Sequence, residues 1–301
     1  MQTLPTIGFL GLGQMGAAMA ERLVDAGYSL QVFDPNPSSV EPFVRRGAVA
    51  HPSPASVADA AAIVLACLPS QDVSRQAAYG PDGVASGSAI RIYAEMSTIG
   101  KETIEDIANA LRARGIDTVD APITGGAPGA RAGTLAMLVS GAAESIAAMR
   151  PLLKVIGKEV YVMGEQPGMA QVMKLLNNLV MATNTVAAAE GLVFGAKAGL
   201  DPDMVLQVLE AGTGASYAAS RIMANAVAGV FHYGAAISII SKDVSVGVHE
   251  ASLLGVDMPV IAKARDAWNA AAGAGRGRDD FTTILKVIEE PHGVTVRGRP
   301  A

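Results

Sequence analysis

Lys174 and Asn178 stand four residues apart inside the long apolar stretch from Met169 to Ala198, and Asn177 adjoins them. On a helix that step puts two side chains on one face, about one turn apart. A buried ammonium loses several kcal/mol of solvation unless it is paired or sheds its proton, so a lysine here suits proton transfer, with an amide beside it to hold a small polar ligand. The same segment also fits a lysine whose stem packs while its head reaches solvent.

A second group of residues suits phosphate. Gly11-Leu12-Gly13-Gln14-Met15-Gly16 follows a strand-like run and opens a helical stretch from Gln14 to Ala26, the setting that a dinucleotide-binding turn requires. Gly11 permits the tight turn, Gly13 lets backbone amides approach a pyrophosphate, and Gly16 lets the helix pack closely on the strand. The helix start then offers unpaired N–H groups and a partial positive charge. Asp34 ends the second strand-like run 18 residues past Gly16, close to the spacing expected of an acid that holds an adenosine ribose. Its carboxylate accepts from both ribose hydroxyls and repels a 2′-phosphate, which favours NAD over NADP. Pro35-Asn36-Pro37 supplies no arginine to clamp such a phosphate, although Arg45 and Arg46 follow further on.

The third group is Asp120-Ala121-Pro122-Ile123-Thr124-Gly125-Gly126. Two adjacent glycines allow a nest of amides to close around a carboxylate, and the Thr124 hydroxyl adds a donor; an ordinary turn has the same composition. His51, His232, His249 and His292 show no metal-ligand spacing, so no metal is implied.

These residues need a sheet edge and a long helix to position them. Short β-branched runs at Ile7 to Leu10, Ser29 to Phe33, Ile63 to Leu68, Ile90 to Ala94, Asp117 to Val119, Leu135 to Val139 and Val160 to Val162 alternate with helical stretches. That alternation predicts an α/β fold of the Rossmann type, a doubly wound parallel sheet, over residues 1–164. Glycines 27, 47 and 115 fall where intervening helices should stop. Beyond Gly164 the texture is alanine-rich and leucine-rich with almost no strand signal, which predicts an all-α domain over 165–290, joined through a long helix at about 169–197. Residues 291–301, rich in glycine, proline and arginine, read as a loose tail.

Composition narrows the partners. With 301 residues, 50% hydrophobic content and a net charge of -5 without long runs of either sign, the chain carries no electrostatic footprint for nucleic acid or an anionic membrane. Lys174, Asn177, Asn178, Asn184, Glu190 and Lys197 interrupt the longest apolar region, which argues for a helix buried in protein rather than a lipid-facing span. The single cysteine, Cys67, lies in an apolar run and reads as core; with no secretory pattern at the amino terminus, a cytoplasmic location is expected.

Taken in order, Gly11 to Gly16, Leu68-Pro69, Met96-Ser97-Thr98, Asp120 to Gly126 with Gly133-Thr134-Leu135, Lys174 with Asn177-Asn178, and Lys242-Asp243 closely resemble the β-hydroxyacid dehydrogenase family, which includes 3-hydroxyisobutyrate dehydrogenase and tartronate semialdehyde reductase. The resemblance covers nearly the whole chain. It implies an NAD-dependent oxidoreductase interconverting a short 3-hydroxy acid and its semialdehyde. In such an enzyme Lys174 is the catalytic acid/base, Asn178 helps hold the substrate together with Asn177, and Thr124, Gly125 and Gly126 bind its carboxylate. Leu68, Pro69 and Thr98 would line the cofactor cleft and Lys242 would approach it, although Lys242-Asp243 also reads as a surface ion pair. Desolvation and a nearby positive nicotinamide ring would favour the neutral amine at Lys174.

Family members are commonly dimers or tetramers, so a homo-oligomer is expected. The chain departs from the usual pattern at Thr124, where serine is commoner, and at Gly164 to Ala170, where the lead-in to the long helix is one residue longer and Ala170 replaces a glycine. Two alternatives fit the same residues: a reductase of another small aldehyde or imine, such as tartronate semialdehyde or sulfolactaldehyde, and a non-catalytic NAD-binding sensor.

Overall fold

All four residues of the first strand, β1 (Ile7–Leu10), are buried, as a strand covered by helices on both faces requires. The computed structural model describes residues 4–298 and contains eight further strands. They are β2 (Leu30–Phe33), β3 (Val49–Ala50), β4 (Ile63–Ala66), β5 (Ile92–Glu95), β6 (Asp117–Asp120), β7 (Ile123–Thr124), β8 (Leu135–Ser140) and β9 (Gly157–Gly164). The strand order is β3-β2-β1-β4-β5-β6-β8-β7, with β9 pairing β8.

From β3 through β6 every pairing is parallel, so the carboxyl ends of β1, β2, β4, β5 and β6 share one edge. The sheet then reverses, because β8 runs antiparallel to β6 and β7. This is the predicted Rossmann-type sheet with a mixed margin added. The reversal follows from chain length: only a short turn and the helix Gly126–Ala132 separate β7 from β8, too little for a parallel crossover.

Two apolar layers sandwich the sheet. Phe9, Leu30, Val32, Leu65 and Val119 pack on one side with Met19, Leu23, Met149 and Leu153 from the helices Gln14–Asp25 and Ala143–Ile156. Leu10, Val64, Ala66 and Tyr93 pack on the other with Ile104, Ile107 and Leu111 from the helix Lys101–Arg112.

The chain divides into two compact units, Met1–Lys174 and Leu175–Ala301, and the division falls inside the helix Met169–Lys197. The sequence places the boundary earlier, near Gly164 to Gly168. The difference arises because the first turn of this helix is hydrogen-bonded to the sheet edge by Gln171, and so belongs with the first unit.

The second unit is helical and centred on Trp268, which is fully buried with its Nε1 donating to the Ala182 carbonyl at 3.2 Å. Leu179, Ala182, Val186, Ala189 and Leu192 of the long helix pack in that same core. By length and hydropathy alone this helix would also pass as a membrane span, and a little under half of that span is buried within the protein.

One expectation is corrected. Residues 291–298 are not a loose tail: Val296 is fully buried, its N–H donates to Glu289 Oε2 at 2.7 Å, and Gly298 N–H donates to the Val227 carbonyl at 3.0 Å. The Arg297 guanidinium lies 5.0 Å from the Phe231 ring centre, with Lys286 Nζ 3.9 Å from the same ring. One fully buried valine, one cation–π contact from Arg297 and the N–H bonds of Val296 and Gly298 anchor a segment whose composition is otherwise that of a tail. Residues 299–301 lie outside the described part of the chain.

Candidate active site

The glycine turn leaves β1 at the carboxyl edge of the sheet. Gly11 has φ +86°, and a Cβ there would lie 2.2 Å from the Cys67 carbonyl oxygen; a Cβ on Gly16 would lie 2.0 Å from the Gly11 carbonyl oxygen. Both positions exclude any side chain. A Cβ on Gly13, by contrast, would meet nothing within 4 Å. The helix Gln14–Asp25 that follows has neither a side-chain cap at Gly13 nor an acid in its first turn. Its leading amides therefore face an open approach with no carboxylate to repel a phosphate, and these residues fit a dinucleotide pyrophosphate.

Asp34 has a task that its spacing alone did not disclose. Its Oδ2 accepts from the Leu12 N–H at 2.7 Å and its Oδ1 from the Asn36 N–H at 2.8 Å. The carboxylate thus ties the end of β2 to the glycine turn. Each oxygen retains a second lone pair for a ribose hydroxyl.

Further along the same edge, Leu68 N–H donates to Ser97 Oγ at 2.6 Å, and Ser97 N–H donates to Glu95 Oε1 at 3.0 Å. Tyr93 donates to the other oxygen of Glu95, which is fully buried; burial pushes the Glu95 carboxyl up. This chain of bonds holds together the loops that carry Leu68, Pro69 and Thr98. Burial pushes the Cys67 thiol up to about 12, so at neutral pH it is not a nucleophile.

Beyond β6, Gly125 and Gly126 take φ values of +128° and +65°, which glycine alone tolerates easily, and Thr124 is half-buried at the end of β7. The turn of small residues inferred from the sequence is present.

Gln171 is the residue that sequence reasoning missed. It is fully buried, and its Oε1 accepts from the Ile99 and Gly100 N–H groups at 2.9 and 3.1 Å. Its Nε2 donates to the Ser97 carbonyl at 2.9 Å and to Asp120 Oδ1 at 2.8 Å. Asp120, also fully buried, accepts through Oδ2 from the Gly168 N–H, the Gln171 N–H and Ser140 Oγ, and Ser140 Oγ itself accepts from the Ala170 N–H. An acid on β6 and a hydroxyl on β8 therefore cap the long helix, satisfying amides that would otherwise be orphaned at its start.

Lys174 follows three residues later, half-buried, so its place relative to the sheet edge is set by this clamp. Gly168, just ahead of the helix, has φ +114°. The signal available in the sequence was an amide in the first turn of an apolar helix.

Two predictions arise here. Gln171→Ala strands two donors and one carbonyl and removes one of Asp120's partners, each loss costing about 1–3 kcal/mol. We expect a loss of about 3 kcal/mol or more and a fall of roughly 10 °C in Tm by circular dichroism; a change under about 2 °C would remove the clamp from the account.

The second concerns pH. Burial pushes the Asp120 carboxyl from 3.8 up to about 6, outweighing the donors from Gln171, Gly168 and Ser140 that favour the charged form. A folded-state value above the unfolded one means that the native state binds the extra proton. Asp120's contribution to stability is thus largest below about 4 and is lost as pH rises through about 6. In urea titrations across that window, Asp120→Asn should show a smaller decline in stability with rising pH than the parent chain; identical slopes would contradict it.

In the second unit, Asn178 is buried and donates through Nδ2 to Asp243 Oδ2 at 2.7 Å, while Asn177 Nδ2 donates to Asn178 Oδ1 at 3.2 Å. Lys242 Nζ lies 2.8 Å from Asp243 Oδ1, an ion pair whose acid is only 5% exposed. Lys242-Asp243 is therefore an ion pair with a buried acid, and it is joined to the asparagines. The sequence named Asp243 only as the neighbour and ion-pair partner of Lys242, without its contact to Asn178.

Comparisons with known proteins agree across the chain. Residues 6–164 match the family described as the NAD binding domain of 6-phosphogluconate dehydrogenase, and residues 168–288 match the NAD-binding region of NADP-dependent 3-hydroxyisobutyrate dehydrogenase. The chain is 34% identical to 2-(hydroxymethyl)glutarate dehydrogenase of Eubacterium barkeri over 97% of both chains. It is 33% identical to 3-hydroxyisobutyrate dehydrogenase of Pseudomonas aeruginosa over 93% of this chain and 97% of that one. The solved structure of Mycobacterium tuberculosis 3-hydroxyisobutyrate dehydrogenase with L-serine superposes with a TM-score of 0.85 at 28% identity, covering 95% of this chain and 99% of that one. With a glycine turn built for a dinucleotide and relatives matched from end to end, the chain belongs to the 3-hydroxyisobutyrate dehydrogenase-like family and is an NAD(P)-dependent oxidoreductase with an NAD-binding Rossmann domain.

Proposed function

We propose that this oxidoreductase interconverts a short 3-hydroxy acid, of the 3-hydroxyisobutyrate kind, with its semialdehyde, using NAD in preference to NADP. The observation that carries the reading is the clamped helix. Gln171 pins its first turn to the carboxyl edge of β5 and β6, Lys174 follows by three residues, and Asn178 stands one turn further on.

Residues Gly11 to Gly16 and Asp34 would hold the cofactor, with Leu68, Pro69, Thr98 and Lys242 lining its place. The bound nicotinamide supplies the chemistry of hydride exchange. In the oxidative direction Lys174, in its neutral form, takes the proton of the substrate hydroxyl; in reduction its ammonium returns that proton to the developing alkoxide. Asn178 orients the reacting oxygen, and Asn177 supports Asn178 through its amide. Thr124, Gly125 and Gly126 receive the carboxylate, and a threonine methyl in place of a bare serine hydroxyl favours a small substituent at the second carbon.

Residues 1–164 serve as the NAD-binding domain and 165–290 as the substrate and oligomerisation domain of a cytoplasmic homodimer or homotetramer. The test is NADH formation with a panel of 3-hydroxyisobutyrate, 2-(hydroxymethyl)glutarate, L-serine and glycerate, alongside reduction of tartronate semialdehyde and sulfolactaldehyde. Fastest turnover on 3-hydroxyisobutyrate supports the reading. Preference for a semialdehyde outside that pair moves the chain to the reductase alternative, and NAD binding without any turnover moves it to a sensor.

A further inference from the structure

We infer that Asp243 is a positioning residue that sets which way the Asn178 amide points, and that Lys242 serves this arrangement by balancing the Asp243 charge. The inference rests on the assignment of Asn178 to the substrate oxygen made above.

The argument starts from what each group can do. An ionised carboxylate only accepts, so the 2.7 Å contact between Asn178 and Asp243 Oδ2 requires the nitrogen, not the oxygen, of the amide to face Asp243. The opposite contact agrees, because Asn177 Nδ2 at 3.2 Å requires the Asn178 oxygen on its side. An amide fixed at both ends cannot flip. Its nitrogen carries two hydrogens, and holding one on Asp243 fixes the direction of the other.

The surroundings make this costly to maintain without purpose. Asp243 and Asn178 are both buried. A buried carboxylate needs a counter-charge, and Lys242 Nζ at 2.8 Å from Oδ1 provides one. The two residues are 65 positions apart, on the helices Met169–Lys197 and Ile237–Leu253, so the contact is made by tertiary packing and not by a local turn. A helix needing only cohesion would place apolar residues at both positions, as it does at Leu179 and Val244 beside them.

Four variants test it: Asp243→Ala, the isosteric Asp243→Asn, Asn178→Ala, and Asp243→Ala combined with Asn178→Ala. Misplacing a reacting group by about 1 Å costs about 10²-fold. Asp243→Ala should therefore lower kcat by about 30- to 100-fold while NAD affinity, read by fluorescence titration, stays within twofold. In the Asn178→Ala background it should cost no more than twofold further, because Asp243 has then lost the group it acts through. Asp243→Asn, whose oxygen still accepts, should fall between.

A second readout is independent of activity. The Asn178 side-chain amide signal in nitrogen–proton NMR spectra, assigned by its absence in Asn178→Ala, should shift in Asp243→Ala. An unmoved signal overturns the inference. So does a kcat within twofold of the parent, or the same loss with and without Asn178, which would mark a structural role. If Lys174→Ala stays active, the assignment of the reaction fails instead, while the Asn178 signal still reports on Asp243.

Discussion

Replacing Lys174 with alanine should lower NADH formation by about 10³-fold or more while leaving NAD affinity within about twofold. The size follows from the role. A positioned acid/base contributes about 10²- to 10⁴-fold, and no other amine on the helix Met169–Lys197 stands near Lys174, since Lys197 is more than six turns away. The residues proposed to hold the cofactor lie on the loops after β1, β2, β4 and β5, held by Asp34, Ser97 and Gln171, and the substitution touches none of those bonds.

Arginine at the same position separates charge from proton transfer. Its guanidinium keeps the positive charge but does not give up its proton near neutrality, so Lys174→Arg should be as inactive as alanine in the oxidative direction. Turnover within tenfold of the parent in Lys174→Ala would show that another base does the work.

The split between what was and was not legible in the sequence follows sequence separation. The glycine turn, Asp34 and the parallel strands were readable because each is a local pattern: a spacing, a run of β-branched residues, or a glycine where a helix stops, as at Gly27, Gly47 and Gly115. Gln171 and Asp243 were not readable as clamps, because their partners lie 51 to 74 and 65 residues away and nothing local marks a side chain that will meet them.

The two short strands β3 and β7 were missed for a related reason. Two residues carry no period, and both strands exist only because a neighbour offers an edge. The described part of the carboxyl-terminal segment misled because its composition is that of a tail while its anchoring rests on one buried valine, one arginine and two backbone N–H bonds. For the candidate site, Lys174, Asn178 and the glycines at 125 and 126 were legible as types in a pattern. Their support was legible only once the chain had folded.

Asp34→Ser combined with Pro35→Arg should lower the ratio of kcat/KM for NAD over NADP by about 10²- to 10³-fold. Two like charges about 4 Å apart near a protein surface repel by about 4 kcal/mol, and each 1.4 kcal/mol is tenfold, so removing the carboxylate alone relieves a penalty of up to about 10³ against a 2′-phosphate. The arginine then offers a paired donor to that phosphate. The structure adds a complication that separates the two changes. Because Asp34 also holds the Leu12 and Asn36 N–H groups, Asp34→Ser alone leaves one of them without its acceptor, so it should weaken NAD in full while the loss of the brace offsets part of NADP's relief from repulsion. Adding the arginine should then raise NADP affinity but not restore NAD affinity. Measuring all four combinations distinguishes the contributions: a ratio unchanged in the double variant would sever Asp34 from cofactor choice, whereas a larger loss for NAD than for NADP in Asp34→Ser, followed by a gain for NADP only on adding the arginine, identifies one carboxylate as both the brace of the glycine turn and the reader of the ribose.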